Sequence, residues 1–141
     1  MKLFNALLLA GLLLASNGFA QTASLTADNA NLAPAGGEVT LQATLAYRDR
    51  PAAVGWSLLA PDSWSLVKVG GGSLPQVRPE PGATGALEFA YIIVPEFTAH
   101  FTVTLRYPAG ASRDKVAATV IVRKDGQIIT LTPAPVVFSL P

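Results

Sequence analysis

The chain has 141 residues, ten Lys or Arg side chains against nine Asp or Glu, and no cysteine. This length fits one domain, and the missing cysteine excludes disulfides, thiolate metal sites and thiol catalysis. A nearly balanced charge without a basic run argues against nucleic acid or an anionic membrane surface as a partner.

Residues 1–20 have the pattern of a secretory signal peptide. Lys2 supplies a positive charge, Ala6–Ala15 is an apolar run, and small residues stand three and one positions before a cut after Ala20. The apolar run is shorter than the roughly 20 residues that a membrane-spanning helix needs. We therefore expect cleavage after Ala20 and an exported domain over residues 21–141, in the periplasm, outside the cell or on its surface. Lys2 is the only charged residue removed, so that domain carries no formal net charge.

The first half of the domain predicts strands separated by turns. These strands are Ser24–Ala27 at a sheet edge, Glu38–Arg48, Ala53–Leu59 and Trp64–Val69. Glu38–Arg48 is the clearest, because apolar and polar side chains alternate along it. Residues 70–85 are rich in Gly and Pro and predict a crossover loop between two sheets, with one short strand around Val77.

The stretch Leu87–Tyr107 contains two β-rich runs around a break at Pro95. Its second run alternates, which indicates one buried and one solvated face. Two further strands, 116–123 and 128–131, flank an Asp125-Gly126 pair, the residue types that a type I′ hairpin turn prefers. A final strand, predicted over residues 136–140, stands between prolines, which suits a sheet edge.

This pattern predicts an all-β fold: a single immunoglobulin-like antiparallel β-sandwich of about eight or nine strands. The order of features resembles bacterial exported immunoglobulin-like modules of the cohesin-like and fibronectin-III-like groups. The residues that carry the resemblance are Gly36–Leu41 opening a core strand, Trp56 on the next strand, and Phe101–Leu105. Phe101 lacks the hydroxyl that a tyrosine corner uses. The resemblance implies adhesion, scaffold assembly or glycan contact rather than catalysis.

No catalytic or metal motif stands out. His100 is the only histidine and falls on the polar face of its predicted strand. The carboxylates are scattered singly, no serine lies in a Gly-x-Ser-x-Gly setting, and the triple glycine after Val69 is not followed by a phosphate-binding lysine. Asp28, Asn29 and Asn31 leave a calcium ion open as an alternative to simple Asx turns. We expect no enzyme activity, no cofactor and no metal.

The remaining candidates for contact with an unknown protein or glycan are Trp64, Phe97, His100 and Tyr107. Trp64 and Phe97 each stand beside a turn, where an aromatic ring can stack on a sugar or anchor a protein. The principal hypothesis is a monomeric, non-catalytic module that acts in protein binding, adhesion or envelope structure.

Three alternatives make structural demands that can be checked. A carbohydrate-binding module requires at least two of Trp64, Phe97 and Tyr107 to be exposed on one face. A small hydrolase requires His100 within hydrogen-bond reach of a carboxylate and a serine. Strand addition by another chain requires residues 136–140 to present an open sheet edge.

Overall fold

The computed structural model describes residues 21–111 and 113–140, so the predicted signal peptide lies outside the described residues. The strands in this part of the chain are β1 (Thr22–Ala27), β2 (Gly37–Ala46), β3 (Ala53–Leu59), β4 (Ser65–Gly70), β5 (Ala86–Tyr91), β6 (Thr98–Tyr107), β7 (Asp114–Lys124), β8 (Gln127–Leu131) and β9 (Val136–Phe138). The all-β prediction is confirmed for these residues. Among them, no helix is long and apolar enough to cross a membrane.

The strands form two antiparallel sheets. One has the order β1-β2-β6-β4, and the other has the order β5-β3-β7-β8 with β9 also paired to β7. Edge placement of β1 agrees with the prediction. The connection from β4 to β5 crosses from the first sheet to the second, as expected for residues 70–85. Instead of a short strand around Val77, however, this crossover contains two isolated bridges, one from Val77 to Ala90 and one from Thr84 to Ser65.

The core lies between the sheets and follows the alternation of the sequence. In β6, Phe101, Val103 and Leu105 are fully buried, and the matching inward positions of β2 and β3 are buried as well. Phe101 lies at the centre, with its ring edge-on to Trp56 at a centroid distance of 5.7 Å and 5.0 Å from the ring of Phe89. Aromatic pairs at these distances add to the stabilisation from burial itself.

The predictions for the Asp125-Gly126 turn and for the last strand have different outcomes. Asp125 and Gly126 have φ angles of 51° and 77°, so the positive φ that a type I′ turn needs is present at both central residues. The last strand, in contrast, ends at Phe138 rather than at residue 140. Ser139 then exchanges backbone hydrogen bonds with Ala30 and Leu32, at 3.1 and 2.8 Å. At Ser139, therefore, the open edge that strand addition demands is already occupied by the loop after β1.

Candidate partner-binding surface

Two of the predicted contact residues belong to the core. Trp64 is 1% exposed, and its ring lies 5.5 Å from that of Tyr107 and 5.3 Å from that of Phe138. Tyr107 is 5% exposed, and its hydroxyl accepts a hydrogen bond of 2.8 Å from the amide of Ala33. The prediction that Trp64 and Tyr107 contact a partner at the surface is therefore wrong, because both side chains are buried. Phe138, from the far end of the domain, covers the tryptophan that the local sequence places beside a turn.

Phe97 and His100 retain exposure but do not form a joint site. Phe97 is 75% exposed in the loop between β5 and β6, so only one of the three aromatic rings meets the demand of the sugar-stacking alternative. His100 is half-buried on the outer face of the first sheet, with Nε2 3.2 Å from Oε1 of Gln42. Its ring contact is an amide oxygen rather than a carboxylate, so the arrangement demanded of a hydrolase is not met there.

The loop after β1 contains one Asx turn, at Asn29, whose Oδ1 accepts from the amide of Asn31 at 2.9 Å. Asp28 instead bonds to a neighbouring strand, since its Oδ1 accepts from the amide of Thr40 in β2 at 3.1 Å. Within residues 21–111 and 113–140, no three His, Cys, Asp or Glu side chains are grouped in a way that would hold a metal ion.

A different surface has the exposed apolar character of a binding site: the outer face of the second sheet and the adjoining loop. We call it the isoleucine face and define it by Gly55, Ala90, Ile92, Ile93 and Ile121. The three isoleucines are 66%, 72% and 48% exposed. Gly55 pairs with Ala90 on one side and with Ile121 on the other. Clustered exposed apolar side chains of this kind mark interaction sites.

A depression of about 470 Å³ lies at the centre of the isoleucine face. Its floor has small residues, since Gly55 has no side chain and its neighbour Ala90 has only a methyl group, whereas Ile92 and Ile121 form its walls. No steric demand explains the glycine. A Cβ built on Gly55 would lie 3.9 Å from the nearest atom, the carbonyl oxygen of Phe89, which is ordinary van der Waals contact.

Glycine in a strand interior lowers stability by about 0.5–1 kcal/mol relative to alanine. Such a glycine often marks a place where a ligand or another backbone approaches the strand closely. Because the packing of this sandwich leaves room for a side chain at Gly55, the glycine is explained better by the shape of the isoleucine face than by the fold.

The loop that carries Ile92 and Ile93 is held in place from three sides. Oε1 of Gln76 accepts hydrogen bonds from the amides of Ile92 and Ile93, at 2.6 and 2.9 Å. The hydroxyl of Tyr47 donates a hydrogen bond to the carbonyl of Pro95. Val94, between the isoleucines and this proline, has its side chain buried in the core. The two isoleucines are thus presented on a fixed backbone, which reduces the entropy that binding would cost.

Positive charge lies at one end of the isoleucine face. Arg123 lines the central depression, and Arg50 lines a second one of about 280 Å³ together with Ile92 and Ile93. Both arginines are exposed, and neither forms a salt bridge with any described residue. The carboxylate on the same sheet face, that of Glu88, accepts a hydrogen bond of 2.9 Å from Ser57.

Two sheets packed with this antiparallel strand order define an immunoglobulin-like β-sandwich. No protein-family model matches the chain, and no curated protein matches it in sequence. The fold is nevertheless shared with solved structures, among them cohesin domains, so the resemblance noted in the sequence is confirmed at the level of the fold.

A type II cohesin domain from the cellulosome of Acetivibrio cellulolyticus superposes with a TM-score of 0.60 and 10% identity, over 86% of this chain and 96% of that one. A non-cellulosomal cohesin from Archaeoglobus fulgidus gives 0.55 and 13% identity, over 86% and 91% of the two chains. The chitin-binding domain of a chitinase from Pyrococcus furiosus gives 0.52 and 17% identity, over 78% and 92%. At these identities the likeness concerns the fold alone.

Proposed function

We propose that the chain is an exported, non-catalytic module that binds another protein through its isoleucine face. The observation that carries the proposal is the depression over Gly55, a strand glycine that the packing of the sandwich does not require. The similar solved structures, which include cohesin domains and a chitin-binding domain, support a binding role in general.

The chemistry of the surface favours a protein partner over a sugar. The side chains exposed on the isoleucine face are aliphatic, whereas sugar rings are usually bound by stacking on exposed aromatic rings. An aliphatic depression suits an apolar side chain of a partner. Arg50 and Arg123 complement a carboxylate, so the proposed partner segment has apolar side chains followed by an acidic residue.

Export is part of the proposal and is supported by the sequence of residues 1–20. Removal of these residues after Ala20 would leave the domain of residues 21–141 in the periplasm, on the cell surface or outside the cell. There the module would act as a monomer, without a cofactor or a metal ion.

The test compares three forms of the exported protein as bait in an envelope fraction. The wild type is compared with Gly55→Val, which fills the depression, and with Thr44→Val on the outer face of the other sheet, which replaces one β-branched residue by another. A captured protein is then purified and its affinity measured by titration calorimetry. We expect Gly55→Val to weaken binding at least roughly tenfold, or about 1.4 kcal/mol, while Thr44→Val leaves it unchanged.

A second substitution tests the charged end of the isoleucine face. Arg123→Glu should weaken binding and reverse its salt dependence, because the proposed partner presents a carboxylate there. Equal affinity of Gly55→Val and the wild type would refute the proposal. Binding to chitin that Gly55→Val retains and Phe97→Ala abolishes would favour a carbohydrate-binding module instead.

A further inference from the structure

Gln21 is a buried glutamine without hydrogen-bond partners for its side chain. It is 1% exposed, and neither Oε1 nor Nε2 has a partner among the residues that the structure describes. It directly precedes β1, whose first residue, Thr22, pairs with Ala46. A buried amide that makes no hydrogen bond lowers stability, and most native proteins avoid it.

The position of Gln21 in the chain allows its side-chain amide to react with a new amino terminus. Processing after Ala20 makes the backbone nitrogen of Gln21 the amino terminus. An α-amino group has a pKa near about 7.7–8.0, so a fraction of it is uncharged and nucleophilic at neutral pH. A bond between this nitrogen and the side-chain carbonyl carbon, Cδ, would close a five-membered ring.

We propose that Gln21 is a modification site, at which the new amino terminus cyclises to pyroglutamate. The α-nitrogen attacks Cδ and forms an N–Cδ bond, and the Cδ–Nε2 bond breaks. Nε2 leaves as ammonia and takes the proton that the α-nitrogen gives up. Oε1 stays on the ring, and no oxidant, reductant or further reactant is needed.

Cyclisation removes one of the two unpartnered side-chain atoms and the charge of the amino terminus, while Oε1 stays as the lactam oxygen. The unpartnered Nε2 donor leaves, and the terminal amine, which would be charged at the start of an edge strand, becomes an uncharged lactam. The inference rests on the processing step proposed above, and its test distinguishes the failure of one from the failure of the other.

The test is mass spectrometry of the exported protein, prepared from the full chain at neutral pH. Trypsin releases the amino-terminal peptide of residues 21–48, which we expect to be about 17 Da lighter than the open form. An isotopically labelled open peptide of the same sequence, added before digestion, measures the cyclisation that handling causes. Gln21→Asn is the matched control, because it keeps an amide but would need a strained four-membered ring.

The expected result is a cyclised fraction far above that of the labelled peptide, with the Gln21→Asn protein open. A cyclised fraction no greater than that of the labelled peptide would overturn the inference and leave processing after Ala20 intact. A first residue other than residue 21 would overturn the processing step and the modification together.

Discussion

Gly55→Ala should make the protein more stable, the opposite of the usual effect of a substitution in a strand. Gly55 has no positive φ, and the added Cβ would meet only the Phe89 carbonyl oxygen, at 3.9 Å. Alanine has fewer conformations than glycine in the unfolded chain, so folding of the variant costs less entropy. The folded state has no new clash to offset this gain. We expect a gain of about 0.5–1 kcal/mol.

That gain can be measured as a shift of the melting temperature. For a domain of about this size, each kcal/mol shifts Tm by roughly 4 °C, so Gly55→Ala should raise Tm by about 2–4 °C in differential scanning calorimetry. Gly71→Ala serves as the contrast. Gly71 has a φ of 104°, and its added Cβ would lie 2.8 Å from Cα of Phe101, so this variant should lose stability by more than about 1 kcal/mol.

A Tm of Gly55→Ala below that of the wild type would refute the reasoning, since it would mean that the glycine is needed by the fold. The partner proposal would then lose its main support. If Gly55→Ala is more stable and binds a partner more weakly, stability and function have been separated at a single position.

Three further predictions concern the rest of the sandwich. Tyr107→Phe should lose about 1–2 kcal/mol in urea unfolding, because the Ala33 amide loses its acceptor. Burial raises the pKa of Tyr91, so its contribution to stability is complete below the unfolded-state pKa near 10 and is lost as pH rises further. Tm should therefore fall above pH 10, and less steeply in Tyr91→Phe. Glu38→Gln should change the free energy of unfolding by less than about 0.5 kcal/mol, since its salt bridge to Arg106 is exposed.

The sequence predicts the fold well where one side of a strand is buried and the other is not. In β6, that contrast makes the alternation around Phe101 and Val103 easy to recognise, and the two positive φ angles at Asp125 and Gly126 need the residue types that stand there. These features depend on neighbours along the chain. The burial of Trp64 depends instead on Phe138, which joins it only when the sandwich closes.

The sequence alone does not predict the isoleucine face, because apolar residues in a β-rich run are expected in the core. β7 contains apolar side chains on both of its faces, so periodicity alone does not show that Ile121 points outward. One signal was present in the sequence. Ile92 and Ile93 are adjacent, and two consecutive residues of an extended chain cannot both face the same core. A second signal in the sequence is the glycine at position 55, which lies inside a predicted strand and away from any turn.

The hydrogen bonds between Ser139 and the loop at Ala30 and Leu32 have a consequence for the timing of folding. They join segments near the two ends of the domain, and β9 is also paired with β7 of the second sheet. Hairpins such as β7–β8 can form early, but the final closure waits for contacts between distant parts of the sequence, which places folding in the slow, millisecond-to-second range of β-sandwiches.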